Sequence, residues 1–105
     1  MTTFDERESA FESKFAHDEQ MQFKAVARRN RLVGEWAAGL LGLEGEAAKE
    51  YALTVVKANF KEPGDEDVVR KVAADLGDKS DEESIRRKLA EMIIAAKEQI
   101  LAEAT

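Results

Sequence analysis

Residues 21–41, MQFKAVARRNRLVGEWAAGLL, show the clearest helical period in this chain of 105 residues. Five apolar residues recur at intervals of four and seven and form one row: Met21, Ala25, Leu32, Trp36 and Leu40. Val26, Val33 and Ala37 lie beside this row, and the opposite face is charged. The pattern predicts an amphipathic helix that belongs to a bundle. Arg29 falls inside the apolar stripe, where we expect its charge to reach solvent or to pair with an acid.

Three more helical patterns follow toward the C-terminus. One runs from Glu46 to about Phe60 and stops at the sequence KEPG, residues 61–64. A shorter one begins at Asp65, a predicted N-cap, and ends at Gly77. The last opens with a predicted capping box, Ser80–Glu83. Strand signals are nearly absent, so the sequence predicts an all-α fold, a compact antiparallel four-helix bundle over residues 20–105.

The stretch before the bundle, residues 1–20, MTTFDERESAFESKFAHDEQ, has a different pattern. Phe4, Phe11 and Phe15 are spaced i, i+7 and i+11, which places them within roughly 40° of one line on a helix. The residues between them are polar, charged or small, and the ridge does not continue in phase into residue 21. Such a narrow aromatic ridge is typical of a helix that lies in another protein's groove. Packing of the ridge on the chain's own bundle is the alternative.

Energetics favour an N-terminal extension that is not permanently ordered. Burying the three phenylalanines contributes roughly 1.5–3 kcal/mol each. Ordering about 18 residues costs roughly 1–2 kcal/mol of backbone entropy per residue. We therefore predict that residues 1–19 form a helical or partly disordered extension that becomes helical when a partner covers it.

Charge and composition exclude several classes of function. The net charge of −6 disfavours general binding to nucleic acid or to an anionic membrane surface. Without cysteine there is no disulfide framework and no thiolate metal site. No secretory signal and no stretch of about 20 apolar residues is present, so membrane insertion is not expected.

An enzyme is not expected either. One histidine, His17, and no cysteine leave few pairs of nucleophile and base. The acidic neighbours of His17 face different directions on a helix, so we predict no metal site and no cofactor. His17 could sense pH near its ordinary pKa of about 6.5, although a plain surface histidine is the better interpretation.

The basic run of residues 28–31, RRNR, has two interpretations. Guanidinium groups suit phosphate, so the run could form a nucleotide site. A solvated basic face that balances an acidic chain is the preferred interpretation. Trp36 could stack on a ligand, but its helical spacing favours a place in the core.

Residues 4–42, FDERESAFESKFAHDEQMQFKAVARRNRLVGEWAAGLLG, strongly resemble the zeta subunit family, the inhibitor subunit of the F1Fo ATP synthase in alphaproteobacteria. The later patterns EYA at 50–52, VVKA at 55–58 and EDV at 66–68 are similar to that family as well. The resemblance covers essentially the whole chain.

The resemblance implies a fold and a mode of action. The fold would be a four-helix bundle with an N-terminal inhibitory segment, here residues 1–19. That segment would enter an α/β catalytic interface of F1 and block rotation in the hydrolysis direction. Its buried anchors would be Phe4, Phe11 and Phe15. Its polar contacts would be Asp5, Glu6, Arg7, Glu8, Glu12 and Lys14.

The resemblance also implies partners and a place in the cell. The partners would be the α, β and central-stalk subunits of F1, with the protein cytoplasmic and peripheral to the inner membrane through F1. We expect a monomer when the protein is free. The alternative function is a small helical ligand-binding module for a purine nucleotide, without inhibitory activity. Nucleotide binding by an inhibitor also stays open.

Overall fold

The structure is a computed structural model that describes residues 18–59 and 65–104. These residues form four α-helices: α1 Glu19–Leu40, α2 Gly45–Ala58, α3 Glu66–Leu76 and α4 Glu82–Ala104. A short 3₁₀ turn, Gly77–Lys79, joins α3 to α4. No strand occurs in the part of the chain that the structure describes, and the all-α prediction is confirmed. Residues 1–17 and the predicted breaker at 61–64, with Phe60 before it, lie outside the described residues.

Helix α1 begins and ends where local chemistry requires it. The Asp18 side chain accepts a hydrogen bond from the backbone N–H of Met21 at 3.1 Å, so the helix starts two residues before the predicted Met21. At the other end Gly42 has a φ of +78°. The N–H of Leu43 donates to the carbonyl of Ala38 at 2.9 Å, as in a Schellman motif. The left-handed turn at Gly42 thus follows directly on the last helical residue, Leu40, and the C-cap, Leu41.

The N-cap predicted at Asp65 is correct in position but not in chemistry. Asp65 precedes α3, yet its side chain makes no capping hydrogen bond. Its Oδ1 instead accepts a hydrogen bond from Nη2 of Arg29 at 2.9 Å. A guanidinium partner from α1 thus takes the carboxylate that local sequence had assigned to the helix end.

The predicted capping box Ser80–Glu83 is wrong by one residue. The carboxylate of Asp81 accepts the N–H of Ser84 at 2.7 Å, and the Asp81 carbonyl accepts the N–H of Ile85. A carboxylate is a stronger acceptor than a hydroxyl at the positive end of a helix, and this favours Asp81 over Ser80. The same hydrogen bond from Ser84 lowers the pKa of Asp81.

The core lies where α1 packs against α2 and α4, with α3 closing one end. Within the described ranges, nine buried apolar residues form its main cluster: Val33, Ala37, Val55, Val68, Val69, Val72, Leu76, Ile85 and Leu89. A second cluster, around Ala25 and Ile100, lies near the start of α1. The predicted α1 row was offset, because Leu40 is 40% exposed whereas Val33 and Ala37 are fully buried. Trp36 packs against the main cluster, as predicted for a core residue.

Gly34 marks the closest approach of α1 and α2. A Cβ atom at this position would lie 2.7 Å from the Cα atom of Ala52 and 3.1 Å from its Cβ. Only a residue without a side chain permits this crossing, because a backbone atom cannot rotate away. The crossing determines which residues of α1 and α2 can form a common surface.

Candidate partner-binding surface

All nine residues predicted to bind a partner lie outside the described residues: Phe4, Asp5, Glu6, Arg7, Glu8, Phe11, Glu12, Lys14 and Phe15. His17 lies outside them as well. The predictions for these residues therefore stay predictions. Asp18 is the point at which they join the bundle, and its backbone is extended, with φ −129° and ψ 101°.

A groove of about 680 Å³ lies beside this junction, along the first half of α1. Its apolar lining comes from three helices, with Phe23 and Ala27 on α1, Leu53 and Val56 on α2, and Ile100 on α4. Phe23 is 57% exposed and Leu53 is 52% exposed, which is unusual for side chains of this size. We call this feature the α1 groove. An exposed apolar surface with a polar rim is a common mark of a binding site.

Two parallel rows of α1 side chains line the groove. Lys24, Arg28 and Arg31, spaced i, i+4 and i+7, form a cationic row. Phe23 and Ala27 form an apolar row beside it. The apolar row points along α1 toward Gly34, where α2 crosses, so Leu53 and Val56 extend the apolar side.

Cationic side chains outnumber acidic ones among the described residues at the rim of the α1 groove. Arg28 forms a two-pronged ion pair with Glu103 of α4, with Nη2 to Oε1 at 2.8 Å, and Nη1 also reaches Gln99. The hydrogen bond from Arg28, followed by the positive charges of Arg28 and Arg31, lowers the pKa of Glu103. Of the described residues that line the groove, Lys24, Arg28 and Arg31 are cationic and only Glu103 is acidic, so this part of the rim is positive on a chain that is acidic as a whole.

The interpretation of residues 28–31 as a solvated basic face is wrong for two of the four. Arg29 is 6% exposed and Asn30 is 1% exposed. Nε and Nη2 of Arg29 both donate to Oδ1 of Asn30, at 3.1 and 2.8 Å, and Nη2 also donates to Asp65. The predicted pairing of Arg29 with an acid is confirmed. The pair connects α1 to the start of α3, so it supports the bundle rather than a ligand.

Sequence reasoning missed the α1 groove. Its members are about 30 to 80 residues apart along the chain, and they meet only because α1, α2 and α4 pack together. One signal was available, since Phe23 lay off the predicted apolar row of α1. Within residues 18–59 and 65–104, no group of three His, Cys, Asp or Glu side chains could hold a metal ion. No helix in those two ranges combines the length and apolarity that a membrane crossing needs.

Comparisons with known proteins cover nearly the whole chain. The family model described as ATPase inhibitor subunit zeta matches residues 1–99. A protein structure solved by NMR in solution is 51% identical, with a TM-score of 0.75. That similarity covers 79% of this chain and 98% of the other. No curated protein was found to match.

Proposed function

Because the chain belongs to the ATPase inhibitor subunit zeta family, its general role is that of an inhibitor subunit, and we propose a mechanism for it. Residues 1–19 insert as a helix into an α/β catalytic interface of the F1 sector of ATP synthase. The inserted helix blocks rotation of the central stalk in the hydrolysis direction. The bundle remains outside the interface and carries no catalytic role.

The observation that carries this proposal is the division of the chain at Asp18. Asp18 has an extended backbone and its side chain caps the helix, so α1 begins at Glu19. Among the described residues, the members of both buried clusters come after position 20. Within residues 18–59 and 65–104 the bundle has a buried core of its own, and this supports a separate role for the segment that precedes it.

The chemistry of residues 1–17 suits insertion. An aromatic anchor that fills an interface pocket contributes about 2 kcal/mol or more. Acids and bases on both sides of the ridge would steer the helix during association, with a rate that falls as salt rises. If the interface closes around the helix during turnover, release requires the interface to reopen. Hydrolysis in the blocked direction does not reopen it.

The proposal places the protein on the cytoplasmic side, peripheral to the inner membrane through F1. Its partners there are the α, β and central-stalk subunits. A pull-down with this protein from solubilised inner membranes tests this arrangement. Recovery of other proteins without the α and β subunits contradicts it.

A truncation tests the mechanism. Deleting residues 1–17 keeps Asp18 and therefore keeps the cap of α1. The truncated protein should retain its helical circular dichroism but fail to inhibit ATP hydrolysis by the cognate F1. Phe11→Ala in the full chain should weaken inhibition about 30-fold, the equivalent of about 2 kcal/mol. Ser13→Ala, on the face opposite the ridge, is the matched control. Full inhibition by the truncated protein contradicts the mechanism.

A second candidate function uses the α1 groove as a nucleotide site. Lys24 and Arg31 supply positive charge for phosphate, and the exposed Phe23 offers a ring on which a purine could stack. ADP and ATP should then shift the amide NMR signals of α1 near Phe23, and Arg31→Met should abolish the shifts. Shifts spread evenly over the surface, or none, contradict this second function.

A further inference from the structure

We propose that the α1 groove is a resting site for residues 4–15 of the same chain. In the free protein this segment docks along α1 as an antiparallel helix, and it must leave the groove before it enters a partner. The proposal builds on the proposed function only in what the released segment does. The docking itself follows from the connectivity, length, charge and chemistry of the groove.

Connectivity places the segment next to the groove. The lining residues on α1 run from Met21 to Arg31, the first three turns of the helix. Only residues 16–18 separate Phe15 from the start of α1 at Glu19. Two antiparallel helices are commonly joined by a loop of about 2–5 residues, and the extended backbone of Asp18 already breaks the helical path.

The two lengths agree. At about 1.5 Å per residue, the stretch from Met21 to Arg31 extends about 15 Å along the helix axis. The ridge from Phe4 to Phe15, as a helix, extends about 16 Å. A docked ridge therefore covers the groove from end to end and shields Phe23 and Leu53, the two large apolar side chains that are exposed there.

The charges match in spacing as well as in sign. The cationic row of Lys24, Arg28 and Arg31 has intervals of four and then three residues. Read in the antiparallel direction, Glu12, Glu8 and Asp5 have the same intervals. The register that places Glu12 beside Lys24 also places Glu8 beside Arg28 and Asp5 beside Arg31.

The faces also match in hand. At about 100° per residue, Asp5, Glu8 and Glu12 lie within roughly 60° of one another on a single flank of the phenylalanine ridge. On α1 the cationic row lies beside the apolar row of Phe23 and Ala27. When the segment runs antiparallel to α1, the acids lie over the cations and the ridge lies over the apolar row. A parallel orientation would exchange the two rows.

Docking of this kind reduces the apparent affinity for a partner. A tethered segment acts at an effective concentration in the millimolar range, so a weak groove suffices to hold it. Only the undocked fraction is competent to bind, and a segment docked about 90% of the time raises the apparent Kd about tenfold. Weakening the groove should therefore make the protein a stronger inhibitor, whereas deleting the segment abolishes inhibition.

A spin label tests the docking directly. The chain contains no cysteine, so Ser13→Cys gives one labelling site in the full-length protein. Ser13 lies opposite the ridge and would face solvent when docked. We expect the label to broaden the amide signals of Leu53, Val56 and Ile100. The register places Ser13 beside Phe23. Leu41 and Gly42 lie just beyond the other end of α1, about 28 Å from Phe23 along the helix axis, so their amide signals should remain sharp.

Charge reversal tests the register. Lys24→Glu should remove the broadening, and Glu12→Lys in the same chain should restore it. Lys49→Glu, an exposed lysine of α2 that does not line the groove, is the matched control and should change nothing. Absence of broadening in the Ser13-labelled protein, or broadening that Lys24→Glu leaves intact, overturns the proposal.

A mixing experiment distinguishes docking within one chain from docking between two copies of the chain. Docking between two copies is tested in a mixture of two proteins. One carries the spin label and has no nitrogen-15, and the other carries nitrogen-15 and has no spin label. Broadening in that mixture equal to that within one chain overturns the proposal.

In the F1 assay, Lys24→Glu should lower the half-inhibitory concentration severalfold. Broadening without inhibition of F1 by any variant retains the docking and refutes the proposed function, and inhibition without broadening does the reverse.

Discussion

Substituting alanine for Gly34 should destabilise the bundle, although the sequence alone predicts the opposite. Glycine inside a helix costs about 1 kcal/mol relative to alanine, so Gly34→Ala considered locally should stabilise α1. The structure places the new Cβ 2.7 Å from the Cα atom of Ala52, whereas ordinary contacts begin at 3.4 Å. The two helices would have to separate, because the atom in contact belongs to the backbone.

The magnitude follows from these opposing contributions. Overpacking a core typically costs about 1–3 kcal/mol and occasionally more. The upper part of that range applies here, because separation of α1 from α2 also loosens the contacts of Val33, Ala37 and Val55 in the main cluster. After the gain in helix propensity, we expect a net loss of about 1–2 kcal/mol in the free energy of unfolding.

Gly39 supplies a matched control in the same helix. A Cβ atom at this position meets no atom within 4 Å. Gly39→Ala should therefore stabilise the protein by about 0.5–1 kcal/mol. Urea unfolding followed by circular dichroism measures both variants, and the slope with urea should be unchanged. The reasoning is refuted if Gly34→Ala proves as stable as Gly39→Ala.

Three further predictions concern polar groups of the bundle. Arg29→Met should lower the free energy of unfolding by about 1–3 kcal/mol in the same assay, because the buried amide of Asn30 loses its donor. Arg31→Met, at an exposed site, should change it little, and equal losses for the two variants would contradict the role of burial. Asp81→Ala should lower the melting temperature, whereas Ser80→Ala should not, and the reverse order would restore the predicted capping box. The folded-state pKa of Asp81 is lowered, so its contribution is present above its ordinary pKa of about 3.9. That contribution disappears as the pH falls through the lower, folded-state value, and the two proteins should converge in acid. Burial, and then the hydrogen bond to Asp75, raises the pKa of Tyr51, the only tyrosine. The stability it adds is complete below its ordinary pKa of about 10 and is lost as the pH rises toward the folded-state value. Its phenolate absorbance should therefore appear only as the protein unfolds in alkali, and ionisation at the ordinary pKa in folded protein would be a clear failure.

Only part of the candidate site could be predicted from the sequence. The nine residues of the predicted inhibitory segment come from spacing and resemblance, and they stay predictions because they lie outside the described residues. The α1 groove could not be predicted, since no local pattern connects Phe23 with Leu53 and Ile100. The basic run of residues 28–31 was visible in the sequence, but its two interpretations could not be separated without knowing which of these residues are buried.

What the sequence by itself determined are the features that depend on neighbours along the chain. The number and type of helices and the end of α3 just before Gly77 follow from periodicity and from glycine chemistry. What only the tertiary structure decided are the choices between competing local partners. The Asp65 carboxylate accepts a hydrogen bond from Arg29 instead of capping α3. The absence of a side chain at Gly34 allows Ala52 of α2 to approach α1 closely. Both outcomes depend on distances between helices, and such distances are set by the packing of the whole core rather than by any one segment.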